Sequence, residues 1–179
     1  MWRGLRFCGR IGRTVRLVPG RCEHFPWDGH TGTPPSFRRL NGMPIVTVTR
    51  RLRFNAAHRV HNPALSDADN TRLFGKCNNP NWHGHNYTLD VSVRGPVAED
   101  TGYVIDLGAL RAIVEREVLS QTDHRNFNID VPYMQGINPT TENIVVAMWQ
   151  VLGPAIAPAT LQRLRLWETE NNYVDYSGE

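Results

Sequence analysis

The sequence contains two long stretches in which apolar and polar residues alternate, VTVTRRLRFNAAH at 46–58 and HGHNYTLDVSVRG at 83–95. Alternation with a period of two places successive side chains on opposite faces of a β-strand. One face of the first stretch carries Val46, Val48, Leu52, Phe54, Ala56 and His58, and one face of the second carries His83, His85, Tyr87, Leu89, Val91 and Val93. Two strands of this kind predict a sheet that must be covered on its apolar side.

Two helical patterns predict the covering layer. Asp106 can cap the first helix, and either Thr140 or Thr141 can cap the second. Their apolar stripes are Leu107, Leu110, Val114 and Val118, and Ile144, Met148 and Val151. The long irregular loop 123–139 lies between them, and LQRLRLWET with NNYVDYSG predicts a closing hairpin. The order predicts an α+β fold, a four-stranded antiparallel sheet with two helices on one face.

Residues 1–42 show neither the period of two typical of strands nor the period of 3.6 typical of helices. They hold eight arginines against two acidic residues. This composition predicts a disordered leader or a misassigned start, with Met43 as the working start and a single domain at 43–179. An arginine-rich, acid-poor segment is also typical of a transit peptide. Serine is scarce here, however, and no amphipathic stripe is present, so we favour the first interpretation.

The formal net charge of +3 comes from this leader, because residues 43–179 hold twelve basic and fifteen acidic side chains. A nucleic-acid-binding surface would need a basic stripe on the folded part, and none is expected. No apolar run approaches the length of a membrane span. Three cysteines, an odd number, argue against a disulfide framework. We therefore predict a cytoplasmic protein without a nucleic-acid or membrane partner.

Three histidines lie on the apolar faces of the two predicted strands. His83 and His85 are two residues apart, so both imidazoles point to one face, and His58 ends the other strand on its apolar parity. Three converging imidazoles suit Zn²⁺, which accepts nitrogen ligands in tetrahedral geometry. The alternative, histidines that bond to backbone carbonyls, is more common for one isolated histidine than for three that share a face. The pattern predicts a zinc site.

Cys77 precedes His83 by six positions in the motif FGKCNNPNWHGHNY. As a fourth ligand it would close the site and make it structural, whereas without it one position stays open for a substrate. The spacing does not decide between these arrangements. The Asp123-His124 pair, with Glu142 and Glu168 at the ends of elements, favours the catalytic one.

Five motifs carry a resemblance to a known family: FNAAHRVH, FGKCNNPNWHGHNY, TDHRNFNIDVPY, TTENI and WETENNYVDY. Together they resemble the 6-pyruvoyltetrahydropterin synthase family, which includes the 6-carboxytetrahydropterin synthases of queuosine biosynthesis. The resemblance runs from about Arg51 to Glu179. It implies the tunnelling fold (T-fold), in which the units assemble into a barrel as trimers that stack into homohexamers, with active sites at subunit interfaces.

The resemblance also implies roles for individual residues. The substrate would be 7,8-dihydroneopterin triphosphate. The implied zinc ligands are His58, His83 and His85, the catalytic residues are Cys77 as the base with Asp123 and His124, and the substrate-binding residues are Glu168, Thr140, Thr141 and Glu142. Glu142 can instead interact with the N-terminus of the second helix. Trp82 departs from the small residue that the animal enzymes carry before His-Gly-His.

Two other functions remain open at this point. The same scaffold could make 6-carboxytetrahydropterin, although a gap of five residues between Cys77 and His83 favours the pyruvoyl product. A non-catalytic zinc- or pterin-binding domain would instead use Cys77 as a ligand. A zinc peptidase is disfavoured because the sequence has no HExxH motif.

Overall fold

The computed structural model describes residues 42–179. The predicted leader, apart from Gly42, lies outside these described residues. Within them, no helix is both long and apolar enough to cross a membrane.

The described residues form one five-stranded sheet with the order β3-β1-β2-β4-β5. Its strands are β1 Ile45–His58, β2 His83–Pro96, β3 Arg125–Asn126, β4 Thr160–Trp167 and β5 Tyr173–Tyr176. The α+β class and the four predicted strands are confirmed, and these four pair antiparallel. The structure adds β3, which lies inside the loop predicted to be irregular. It pairs parallel with Ala56 and Ala57 of β1. A two-residue strand leaves no periodicity by which sequence could detect it.

β1 and β2 pair without a bulge from Ile45 opposite Pro96 to His58 opposite His83. A slip of one residue would turn every apolar side chain to the wrong face, so the buried face itself defines this register. The opposite face is polar, and there Arg51 bonds Asp90 through two contacts of 2.6 and 2.7 Å. The alternation seen in the sequence thus separates a core face from a face of paired polar groups.

Both predicted long helices are present. The first, α2 Leu107–Val114, is capped by Asp106, whose side chain accepts a hydrogen bond from Ala109 N. The helix continues through a π-helical turn, Glu115–Leu119, into the short α3, Ser120–Thr122. α4 Thr141–Leu152 is capped by Thr140, which decides the choice that the sequence left open. The stripe prediction is wrong at Leu107, which is 41% exposed because it begins the first turn.

A further helix, α1 Asp67–Phe74, lies in the segment predicted to be a loop between the first two strands. Ser66 caps it, and Asn70 is its one buried residue. The Asn70 amide donates to the carbonyls of Asn62, Leu65 and Ser66, while its oxygen accepts from Asn62 N. A helix that buries an asparagine has no apolar stripe, so periodicity could not reveal it.

The core lies between the apolar face of the sheet and the helices α2 and α4. Fully buried members include Leu89, Val91, Leu110, Ile144 and Leu164. At the end of β1 and β2 the core becomes aromatic: Phe54 stacks on Tyr87 at 5.1 Å, and Phe127 meets the Tyr87 ring edge-on at 5.8 Å. These rings support the histidines that follow on the same faces.

Candidate active site

The three predicted histidines meet at the end of the β1–β2 pair. The nitrogens that they offer lie within 4.8 Å of one another. Ring centroids are 4.4 Å apart for His58 and His83, 5.2 Å for His58 and His85, and 5.0 Å for His83 and His85. The register explains this, because His58 stands opposite His83 and His85 lies two residues further on the same face. We call this group the histidine cluster.

Gly84 separates the two histidines of β2. A Cβ atom added there would lie 3.0 Å from the carbonyl oxygen of Ala56 on the neighbouring strand. A larger residue would therefore push the two strands apart where the cluster requires them close.

Two nitrogens of the cluster are buried without a hydrogen-bond partner within residues 42–179: His58 Nε2 and His83 Nδ1. His58 is 1% exposed, and its Nδ1 lies 2.8 Å from the carbonyl oxygen of Pro139. Since a carbonyl only accepts, Nδ1 carries the proton and the Nε2 lone pair is left for another group. Burial lowers the pKa of both His58 and His83, which favours the neutral form that binds metals. The cluster therefore fits a metal ion.

Glu168 lies directly beside the cluster. Its Oε1 is 3.6 Å from His58 Nε2 and 3.7 Å from His85 Nε2, and it accepts a hydrogen bond of 3.0 Å from the Thr141 hydroxyl. Thr141 begins α4 and is buried, so the helix positions this carboxylate. The chain reaches Glu168 immediately after β4, far from the other groups in sequence. The structure thus brings together the predicted Glu168, Thr141 and two of the predicted metal ligands.

Thr140 and Glu142 flank Thr141 but have different surroundings. The Thr140 hydroxyl accepts from Asn143 N at 3.3 Å, the ordinary use of a capping residue. Glu142 is exposed in the first turn of α4. A carboxylate at this position interacts favourably with the positive end of the helix.

Cys77 lies in a 3₁₀ turn, Gly75–Asn78, and is exposed. Its sulfur is not part of the group of metal-binding atoms formed by the three histidines. Its backbone carbonyl accepts from Val60 N at 2.9 Å, which ties the turn to the segment that follows β1. Cys77 lines a cavity of about 820 Å³ together with His83 and His85, and we call it the cysteine cavity.

Asp123 and His124 form a pair on the edge of β1. His124 Nδ1 lies 3.0 Å from Asp123 Oδ1, and that oxygen also accepts from Asn55 N at 2.9 Å. His124 N donates in return to the Asn55 carbonyl at 2.7 Å. His124 has a positive φ of 59°, which is uncommon for a residue with a side chain and often marks a functional position.

A second cavity, of about 920 Å³, contains Asp123, His124, His85 and Glu168, and we call it the glutamate cavity. His85 lines both cavities. Within one chain, the structure therefore places Cys77 on one side of the histidine cluster and the Asp123-His124 pair with Glu168 on the other.

The sequence analysis did not find several supporting residues. Three groups, the Asn55 backbone amide nitrogen, the Asn78 side chain and the Pro139 carbonyl, hydrogen-bond the side chains of Asp123, Arg59 and His58, respectively, and no spacing in the sequence reveals these bonds. Lys76 and Arg59 also line the cysteine cavity. Lys76 could have been noticed, since it adjoins Cys77 and is the one lysine among nineteen arginines.

By its fold and its site, the protein is an α+β domain with three histidines at one end of a mostly antiparallel sheet. These histidines could hold a metal ion. Comparison with known proteins then defines the family. Residues 47–179 match the family model described as 6-pyruvoyl tetrahydropterin synthase. The chain belongs to this family, and it is an enzyme of the lyase class.

Individual relatives agree with this assignment. The chain is 43% identical over 132 residues to the 6-pyruvoyl tetrahydrobiopterin synthase of Homo sapiens, a match covering 74% of this chain and 91% of the human one. The solved structure of the Caenorhabditis elegans 6-pyruvoyl tetrahydropterin synthase superposes with a TM-score of 0.73 at 42% identity, covering 76% of this chain and 98% of that one. A 6-carboxy-5,6,7,8-tetrahydropterin synthase of Rickettsia typhi is 24% identical over 149 residues, covering 73% and 99%.

Proposed function

We propose that this protein is a zinc-dependent lyase that converts 7,8-dihydroneopterin triphosphate to 6-pyruvoyltetrahydropterin and eliminates triphosphate. The observation that carries the proposal is the histidine cluster between two cavities, one containing Cys77 and the other Glu168. Relatives of 39–43% identity that are named 6-pyruvoyl tetrahydrobiopterin synthase support the product.

The zinc ion would be held by His58, His83 and His85 through one nitrogen each. The position of Cys77 outside this group supports a site with an open place for substrate, which is the catalytic arrangement. A bound zinc ion supplies Lewis acidity, which polarises hydroxyl oxygens and acidifies the neighbouring C–H groups. The hydrogen bond from His58 to Pro139 orients the imidazole and raises its basicity.

Glu168 would anchor the pterin ring. A carboxylate can accept from a ring N–H and an exocyclic amine at once, a bidentate match that a neutral side chain makes more weakly. Thr141 keeps one carboxylate oxygen in place, and Thr140 would line the pocket while it begins the helix. Glu142, also predicted to bind substrate, is exposed, which better supports its alternative role at the N-terminus of α4.

Cys77 would be the general base. In the conversion each hydroxyl-bearing side-chain carbon loses its C–H hydrogen and becomes a ketone, while the ring gains two hydrogens. At the second carbon, the electrons of the broken C–H bond form a C=C bond as the electrons of the adjacent C–O bond leave with triphosphate. The terminal carbon is then protonated to a methyl group. Cys77 lines the cysteine cavity together with His83 and His85, and a base at this position is suited to these proton transfers.

Asp123 and His124 would be the second acid–base pair. The contact of 3.0 Å between them orients the imidazole, which would return protons to the ring and side chain during the tautomerisations. Within one chain the pair opens to the glutamate cavity, away from Cys77. This separation supports active sites completed by a neighbouring copy.

We propose a homohexamer of two stacked trimers as the functional form. Along β1, the edge that faces β3 has a strand partner only at Ala56 and Ala57 within residues 42–179. Met43 and Ile45, at the other end of this edge, are 60% and 59% exposed. Long open edges of this kind are normally covered or paired in native proteins. Light scattering of the purified protein would measure the mass, and a monomer would contradict the assembly.

The product is the decisive test. Incubation with 7,8-dihydroneopterin triphosphate and mass spectrometry should yield 6-pyruvoyltetrahydropterin and triphosphate. Formation of 6-carboxytetrahydropterin with a two-carbon fragment would favour the alternative, for which the relative of 24% identity is a weaker support. No turnover by zinc-loaded protein would overturn both.

We further propose that residues 43–179 are the catalytic domain and act in the cytoplasm. The family match, which begins at residue 47, supports this boundary. A protein that starts at Met43 should keep its activity, and loss of folding or assembly would contradict this.

A further inference from the structure

The two cavities beside the histidine cluster differ in charge. The charged residues that line the cysteine cavity are Arg59, Lys76 and Asp67, two cations against one acid. The glutamate cavity is lined by Arg51, Arg53, Asp123, Glu168 and Glu170, so its acids outnumber its cations. Arg51 is moreover engaged by both oxygens of Asp90. A polyanion is therefore better accommodated in the cysteine cavity.

Arg59 is held in place with its charge unneutralised. Its Nε donates to the backbone oxygen of Asn78 at 3.0 Å and to the side-chain oxygen of the same residue at 3.1 Å. Asn78 is itself 8% exposed, and its Oδ1 lies 3.0 Å from His61 Nδ1. Neither terminal nitrogen of Arg59 has a hydrogen bond or an ion pair in the described part of the chain. The guanidinium is thus oriented through one nitrogen and has two others free for an anion.

Lys76 precedes Cys77 in the same 3₁₀ turn. It lines the cavity, is exposed, and its ammonium makes no hydrogen bond or ion pair with residues 42–179. Within residues 42–179 no acid pairs with this ammonium, so three donor hydrogens remain for phosphate oxygens.

We propose that Arg59 and Lys76 form the subsite that binds the triphosphate of the substrate and stabilises it as it leaves. This inference rests on the proposed function. If Glu168 holds the ring and the histidine cluster holds the hydroxyl-bearing side chain, the remaining end of the substrate continues past His85 into the cysteine cavity. The base must reach the carbon next to the C–O bond that breaks, so Cys77 and the leaving group belong on the same side.

The two cations would act most strongly in the transition state. As the C–O bond breaks, negative charge grows on the bridging oxygen that departs with triphosphate. Fixed cations near that oxygen stabilise the growing charge without reorganisation. Hydrogen bonds to charged groups contribute more than those between neutral ones, and each is equivalent to about a tenfold effect or more.

The test compares a ligand with triphosphate and one without it. In zinc-loaded Lys76→Gln we expect kcat/KM for 7,8-dihydroneopterin triphosphate to fall about tenfold or more, through a lower kcat as well as a higher KM. The Kd for unphosphorylated 7,8-dihydroneopterin should not change. Lys76→Arg should recover most of the loss because it keeps the charge, and Arg59→Gln should resemble Lys76→Gln. The control is Arg94→Gln, which removes an exposed cation outside both cavities and should leave kcat/KM unchanged.

Each outcome has a distinct meaning. An unchanged kcat/KM in both Lys76→Gln and Arg59→Gln, with normal zinc content, would overturn the subsite while leaving the proposed function intact. An equal loss of affinity for both ligands would also overturn it, because the cations would then support the site as a whole. No turnover by the wild-type protein would overturn the proposed function and the subsite with it.

Discussion

The cysteine cavity and the glutamate cavity share His85 but are built in different ways. The cysteine cavity comes from one continuous part of the chain, because all the residues that line it lie between Arg59 and His85. The glutamate cavity is assembled from β1, β2, the Asp123-His124 pair and the residues from Trp167 to Glu170. A local motif thus supplies the proposed base and cations, whereas the proposed ring anchor depends on distant segments. One histidine cluster can therefore lie between two cavities whose charged lining residues have opposite net sign.

The largest effect is expected from removing a histidine of the cluster that lies between the two cavities. His85→Ala or His83→Ala should lose bound zinc and all measurable activity, since two remaining histidines are too few ligands for a stable site. Elemental analysis of the purified variants measures zinc per chain. Cys77→Ala is the matched control and should retain one zinc ion. Loss of metal in that control would identify Cys77 as a ligand and favour a closed site.

A change in the cysteine cavity should affect the rate rather than binding. Removal of a general base typically costs about 10²–10⁴ in rate, so Cys77→Ala should release triphosphate that much more slowly in single-turnover experiments at saturating substrate. A binding titration should give near-normal affinity. Thr71→Ala, on the wall of the same cavity, serves as the control. A normal rate in Cys77→Ala would leave His124 as the candidate base.

A change in the glutamate cavity should affect binding first. Glu168→Gln keeps the shape but removes the charge, and we expect the Kd for 7,8-dihydroneopterin to rise about 10–100-fold. A contact present in both ground and transition states affects KM more than kcat. Glu170→Gln, in the same cavity, should bind normally. Equal affinity in the two variants would count against Glu168 as the ring anchor.

The smallest effect is expected at the pair formed by Arg51 and Asp90 on the polar face of the sheet, where Arg51 lines the glutamate cavity. Hydrogen bonds from Arg51 hold the pKa of Asp90 below its usual range. Because the folded-state pKa is depressed, the pair stabilises the fold above the unfolded pKa of about 3.9, and this contribution disappears as the pH falls through the folded value.

Asp90→Asn should therefore lower Tm by a few degrees at most at pH 7, since Arg51 is largely exposed and water screens the pair. Calorimetry of both proteins at pH 7 and in acid would show the difference shrinking as Asp90 is protonated. A constant difference at every pH would mean that packing, and not charge, is responsible.

Alternation predicted β1 and β2, and apolar stripes predicted both long helices, because the apolar face of each element must meet a core. The cysteine motif also predicted groups that lie together, since Cys77, His83 and His85 fall within nine residues. The sequence missed β3 and α1, which carry no apolar period: one is two residues long, and the other buries Asn70. It also left open whether Cys77 joins the metal ligands.

The fold class and the three histidines could be predicted from the sequence because they depend on side-chain type and on spacing along single elements, and the family could be predicted from the five motifs. Only the tertiary structure showed which side chains from distant segments lie next to one another. It placed Glu168 and Thr141 beside His58 and separated Cys77 from the Asp123-His124 pair across His85. It also oriented Arg59 through Asn78 and His58 through a backbone carbonyl. The physical reason is that these relations come from hydrogen bonds and packing between segments distant in sequence, and no local period encodes them.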